Sequence, residues 1–188
     1  IDIYLLTQAY YNAYQNYIRD TTGTVKEPAQ PTIEELNTAY STLDQYKMIS
    51  DNIILNSLTF KPLFGTKAAT ELRATLKCVK NVNSTVSTSE IKSQVINAIN
   101  TYFTIDNWDF GDTFYFSELS SYLHDQLGSI ISTVVLVPTN PLKSFGDLYE
   151  IRSQSNEIFV NAATVNDVEV IDALTSSQLR TAPNSGVV

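Results

Sequence analysis

Cysteine, histidine, methionine and tryptophan each occur once in the 188 residues, and these scarcities remove whole classes of function. A lone thiol, Cys78, forms no intrachain disulfide, so a disulfide scaffold is excluded and a reducing compartment is the default. A lone imidazole, His124, lacks the second imidazole or thiolate that metal centres and nucleophilic dyads recruit. Asp125 is its neighbour, but adjacent helix residues do not face each other, and a solvated surface histidine is expected. Lys and Arg number 12 against 20 Asp and Glu, a formal charge of −8, and the basic residues are scattered. A phosphate-binding face needs them clustered, so neither nucleic acid nor an anionic membrane is expected as a partner. No apolar run approaches the roughly 20 residues that span a bilayer. The first residues show neither a basic region nor a cleavage site, so no signal peptide is expected. The dinucleotide glycine motif, the Walker loop, the nucleophile elbow and the CxxC pair are all missing.

What remains is enough for a sizeable core, with 43% hydrophobic residues, and the length fits one domain or two small lobes. Charged residues are only 17%, and the polar remainder is largely Ser, Thr, Asn, Gln and Tyr. Such a surface desolvates at low cost, which suits extended protein contacts, and it equally describes a weakly charged solvated surface. The chain opens at Ile1 directly in an expected strand, without Met, and reads as a domain or fragment of a longer polypeptide.

Ile1, Ile3 and Leu5 alternate as a first strand. Tyr10, Tyr11, Tyr14, Tyr17 and Ile18 follow at near-helical spacing, although tyrosine favours strands. Gly23, Pro28 and Pro31 mark a loop over 22–31. Thr32-Ile33-Glu34-Glu35 then reads as a capping box, opening a helix whose inner face is Ile33, Leu36, Tyr40, Leu43 and Tyr46. Leu58 and Phe60 belong to the next strand, and 62–69 reads as a loop. Leu72, Ala74, Leu76 and Cys78 alternate inward in a further strand, which makes Cys78 a small buried hydrophobe rather than a reactive thiol.

Residues 87–138 are the most sharply punctuated. Ser87-Thr88-Ser89-Glu90 is a second capping box, and Ile91, Val95, Ile99, Tyr102 and Phe103 line one side of the helix it opens. A turn over 106–112 leads into the short strand Thr113-Phe114-Tyr115-Phe116. Ser117-Glu118 begins a helix with Leu119, Leu123 and Leu127 inward, Gly128 ends it, and Val134-Val135-Leu136-Val137 reads as a buried strand closed by Pro138. Three acids in the turn, Asp106, Asp109 and Asp112, raise the possibility of calcium. Their intervals of three, with aromatics between, do not match a loop with ligands at alternate positions and a Glu in twelfth place, so turn formation explains them. Glu34/Glu35 sits at a helix N-terminus, where negative charge is favoured, and Glu150/Glu157 flanks an expected hairpin. Trp108, Phe110, Phe114, Tyr115 and Phe116 are the candidate interface residues. Strand alternation sends Tyr115 to the face opposite Phe114 and Phe116, so either both faces are covered or part of the set meets a partner.

Order of elements predicts an α+β class: a ferredoxin-like split βαβ lobe over 1–82, then a second strand-helix-strand lobe over 83–172 with antiparallel hairpins from 148–151, 158–160 and 168–171. Residues 173–188 read as a tail.

The segments 95–103, Phe110-Gly111-Asp112, Ser117-Glu118-Leu119 and the run to Val137, followed by 145–151, Asn156-Glu157-Ile158-Phe159 and 165–171, carry a resemblance. Together they are similar to the C-terminal part of baseplate wedge proteins of T-even-like contractile-tailed bacteriophages, the baseplate J-like family. The likeness spans roughly the C-terminal half, and the first half agrees only in its order of elements. Leu127-Gly128-Ser129-Ile130 stands where many relatives carry a proline-glycine pair. The resemblance implies a structural assembly protein of the virion tail, built in the host cytoplasm. It would contact copies of itself and other wedge proteins, and would have no active site, metal or cofactor. Two other readings stand beside it. One is an enzyme in which Asp106, Asp109, Asp112 and His124 converge; the other is a ferredoxin-like module for a small ligand or nucleic acid, against which the acidity of the chain argues.

Overall fold

The protein's structure, a computed structural model, describes residues 2–47, 53–140 and 150–172, and the class is α+β. Strand β1 (Asp2–Leu5) leads into helix α1 (Gln8–Arg19), where Thr7 accepts from the Tyr10 N–H at 3.2 Å. The tyrosines settle as helix because Tyr10, Tyr14 and Ile18 recur every fourth residue and bury together. Tyr14 stacks on Phe60 with centroids 4.3 Å apart.

Helix α2 (Ile33–Ala39) opens with both halves of its capping box, Glu35 N–H to Thr32 Oγ1 and Thr32 N–H to Glu35 Oε2. Its expected inner face is corrected: Leu36 is buried, whereas Ile33 is 61% exposed and Tyr46 is exposed as well. The helix stops at Ala39 and continues as a 3₁₀ turn, Ser41–Leu43, before the single turn α3 (Asp44–Lys47). That change of period breaks the stripe.

Strand β2 (Ile54–Ser57) pairs in parallel with β1, and β3 (Thr59–Leu63) pairs in parallel with β8 (Glu157–Asn161). Pro62 therefore lies inside a strand rather than at the start of a loop. Among the described residues β3 has one ladder neighbour, and a strand with a free side tolerates a residue lacking N–H. Strand β4 (Ala74–Lys80) is the centre of a three-stranded sheet, antiparallel to β6 (Ile131–Pro138) and parallel to β9 (Val168–Ile171). Between β4 and β6 lie α4 (Thr88–Tyr102), the short strand β5 (Thr113–Tyr115) and α5 (Phe116–Leu127). Ser87 caps α4 by accepting from Glu90 N–H at 3.2 Å. The Glu90 carboxylate turns instead to Gln94 Nε2 at 2.9 Å.

Three expectations change here. The C-terminal strands do not form antiparallel hairpins with one another. Strands β8 and β9 run parallel to β3 and β4, and β7 (Glu150–Arg152) pairs antiparallel with β5. The chain between β7 and β8 is drawn toward the aromatic turn, since the Ser153 N–H and hydroxyl both donate to the Asp112 carbonyl at 3.0 and 2.8 Å. Secondly, the ferredoxin-like order asks for one antiparallel sheet from the early strands, and the ladders of the described residues are arranged differently. Thirdly, β6 alternates: Val134 and Leu136 are buried, Val135 and Val137 exposed.

Residues from both expected lobes, 1–82 and 83–172, enter each of two hydrophobic cores. The larger joins Leu63, Leu76 and Cys78 to Ile91, Val95, Ile99, Leu119 and Leu123. The smaller joins Tyr10, Tyr14 and Phe60 to Ile158 and Val160. Phe145-Gly146-Asp147-Leu148-Tyr149 and residues 173–188 lie outside the described residues.

Candidate interaction site

The turn between α4 and β5 is held from within. After Tyr102 the chain passes a 3₁₀ turn (Ile105–Asn107), and the Asn107 Nδ2 donates back to Thr101 O at 3.0 Å. Trp108 then folds over the helix end, its indole N–H donating to Tyr102 O at 2.9 Å. Its ring stacks on Phe103 at 5.4 Å and meets Phe159 edge-on at 5.2 Å. The Asp112 carboxylate accepts the Asp109 N–H at 2.7 Å, closing a turn in which Gly111 adopts φ +79°. Turn formation is thus what Asp112 does. Among the described residues no three His, Cys, Asp or Glu side chains gather as metal ligands would.

The five candidate interface residues separate. Phe114 is fully buried and packs on Phe64, Phe103 and Phe159, so it is core. Trp108 is half-buried: it packs against both hydrophobic cores and leaves part of its surface beside the turn. Phe116, also half-buried, starts α5 against the larger core. Only Phe110 and Tyr115 are exposed, at 41% and 37%. Alternation along β5 separates Phe114 from Tyr115, because the inner face of the strand meets the core and its outer face is open among the described residues.

No protein-family model and no curated protein sequence matches the chain.

Beside this turn lies a cavity of about 480 Å³ between Tyr102, Trp108 and Tyr122, with Asp112 and Glu118 among its lining residues. Tyr102 meets Trp108 at 5.5 Å and Tyr122 at 5.3 Å. Burial and then the Glu118 charge push the Tyr102 hydroxyl up to about 12. Glu118 and Tyr122 are four apart on α5 and share a face, a signal that sequence reading could have used. The contribution of Tyr102 depends on how α4 packs on α5, which no local pattern reports.

Cys78 is buried, and burial pushes its thiol up to about 12, so it is inert at neutral pH. Glu157 loses stabilisation to burial, but its bonds from Lys61 (2.8 Å) and the Gln154 N–H (2.9 Å) more than offset this and lower its pKa. Glu150 pairs with Arg152 at 3.3 Å.

His124 corrects the expectation of a solvated side chain. Its Nδ1 lies 2.9 Å from the Ser120 carbonyl and its Nε2 lies 2.8 Å from the Ser132 carbonyl, so the ring joins α5 to the start of β6. Carbonyls only accept, and both bonds form together only in the imidazolium. The Ser120 bond, the Ser132 bond and the Asp125 charge raise the pKa against a smaller opposing effect of burial. A raised folded pKa gives stability that is complete below the unfolded value of about 6.5 and is lost as pH climbs through the folded value. The melting temperature of the native protein should therefore fall relative to His124→Asn between pH 6 and 9. Parallel pH profiles for the two proteins would refute this.

Proposed function

We propose that the chain is a structural assembly protein, a wedge component of a contractile phage tail baseplate, acting through association with its own copies and with other wedge proteins. The wedge assignment draws on the resemblance carried by segments between 95 and 171. The observation that carries the assembly role is the outer face of the β6-β4-β9 sheet. Cross-strand register places Val137 opposite Thr75 and Val135 opposite Lys77, and then Lys77 opposite Glu169 and Val79 opposite Ile171. Val135 and Val137 are 48% and 37% exposed, and the charges that the register brings together there pair at 2.9 Å between Lys77 and Glu169. This face combines branched apolar side chains, a threonine and a neutralised ion pair, a composition that desolvates readily against another protein. The Asp112 carboxylate and the His124 ring are both occupied in local structure, which favours a role through surfaces over a catalytic one at these two groups. No nucleic-acid or membrane contact forms part of this reading.

The test is the mass in solution, alone and mixed with candidate tail proteins. Reversible self-association or a stable mixed complex is expected, with an interface near or above roughly 1,000 Å². A strict monomer at high concentration that binds no tail protein would contradict the proposal.

A further inference from the structure

The cavity between α4, the aromatic turn and α5 has a chemistry that the assembly role does not use. Three aromatic rings meet there, Tyr102 in contact with both Trp108 and Tyr122. Two carboxylates join them, the half-buried Asp112 and the exposed Glu118, and the remaining lining groups are the uncharged Asn107 and Thr113. Among the described residues no cationic side chain lines the cavity. Aromatic faces attract a cation through their quadrupole, and a nearby carboxylate adds a charge-assisted hydrogen bond. At about 480 Å³ the space is that of a small-ligand site, several times larger than one head group needs. The anionic balance of the chain, −8, favours the approach of a positive ligand.

We propose that this cavity binds an organic cation, the guanidinium or ammonium head of an arginine or lysine side chain presented by another protein. The rings of Tyr102, Trp108 and Tyr122 flank the head group, and Glu118 accepts its N–H. Burial and the Glu118 charge keep the Tyr102 hydroxyl protonated at neutral pH, so this wall of the cavity stays uncharged. The inference stands independently of the baseplate reading, since its test needs no tail protein.

Trp108 is the only tryptophan of the chain, so fluorescence excited selectively at the indole reports on this one ring, which lines the cavity. The native protein is titrated at low ionic strength with n-butylammonium, with arginine, with citrulline as the uncharged counterpart of arginine, and with the blocked tripeptide acetyl-Gly-Arg-Gly-amide. Saturable changes are expected with the three cations, and binding of citrulline at least about tenfold weaker than arginine. Glu118→Gln should weaken binding of the tripeptide about tenfold or more, as the loss of a charge-assisted hydrogen bond would. Tyr122→Leu should weaken it too, with unchanged melting temperature as the check on folding. Glu90→Gln, which removes the same charge from the first turn of α4, should change it less than twofold. Citrulline binding as well as arginine, or Glu118→Gln no different from Glu90→Gln, overturns the cation site. Free cations binding while the tripeptide does not would overturn the assignment to a protein side chain.

Discussion

Gly65→Ala is expected to abolish cooperative folding. A Cβ at position 65 would lie 1.7 Å from the Ala162 carbonyl oxygen and 2.4 Å from its carbon. Both are backbone atoms, so no side chain can turn aside and β3 must part from β8. The same point is hydrogen-bonded twice, with Ala162 N–H and Gly65 N–H both donating to the Leu63 carbonyl at 2.9 and 3.2 Å. The second of these closes a three-residue turn around Phe64, whose φ of +79° is strained for a bulky residue. Bonds from Phe64 N–H to Leu72 O (2.9 Å) and from Ala74 N–H to Phe64 O (3.0 Å) hold it in place. Overpacking of a core side chain costs roughly 1–3 kcal/mol. Here the obstacle is main chain, and the loss should exceed that range. Urea unfolding followed by near-UV circular dichroism measures it. A midpoint close to that of the native protein would show that the two strands are not so closely apposed.

The second large effect separates two neighbours. Phe114→Ala should lose about 3–5 kcal/mol of stability, because a fully buried ring among Phe64, Phe103, Trp108 and Phe159 leaves a cavity that these rings cannot close. Tyr115→Ala, one residue on and facing outward, should cost within about 1 kcal/mol. Trp108→Ala belongs with Phe114, since its ring touches both cores. Thermal unfolding of the three variants decides the matter. Equal losses for Phe114 and Tyr115 would mean that β5 is covered on both faces.

These residues also show where the sequence was legible. The alternation of Phe114 and Tyr115, the Leu119, Leu123, Leu127 stripe and the Thr32 capping box are local patterns found as expected, and of the box expected at Ser87 the N-cap half is found. Strand direction is not written in a hydrophobic period. Ile158 and Val168 announce strands, but their parallel pairing with β3 and β4 depends on where the chain returns. Gly65 looks like loop punctuation until Ala162 is placed against it. The candidate site was half visible for the same reason: Trp108 stands out in the sequence, yet only the packing of α4 on α5 turns it inward and sets Tyr122 beside Tyr102. His124 lies off the leucine stripe, and nothing nearby in sequence reveals that Ser132 will receive its Nε2.

The role in assembly is tested most directly by a paired measurement on Val135→Glu, recording thermal unfolding and solution mass on the same preparation. Position 135 is exposed and lies opposite Lys77, which Glu169 already pairs, so the new carboxylate stays in solvent and the fold should keep its melting temperature within a few degrees. If the outer sheet face is the contact surface, association of this variant should weaken at least tenfold while the native protein assembles. Val135→Glu that associates as tightly as the native protein at unchanged stability would contradict it.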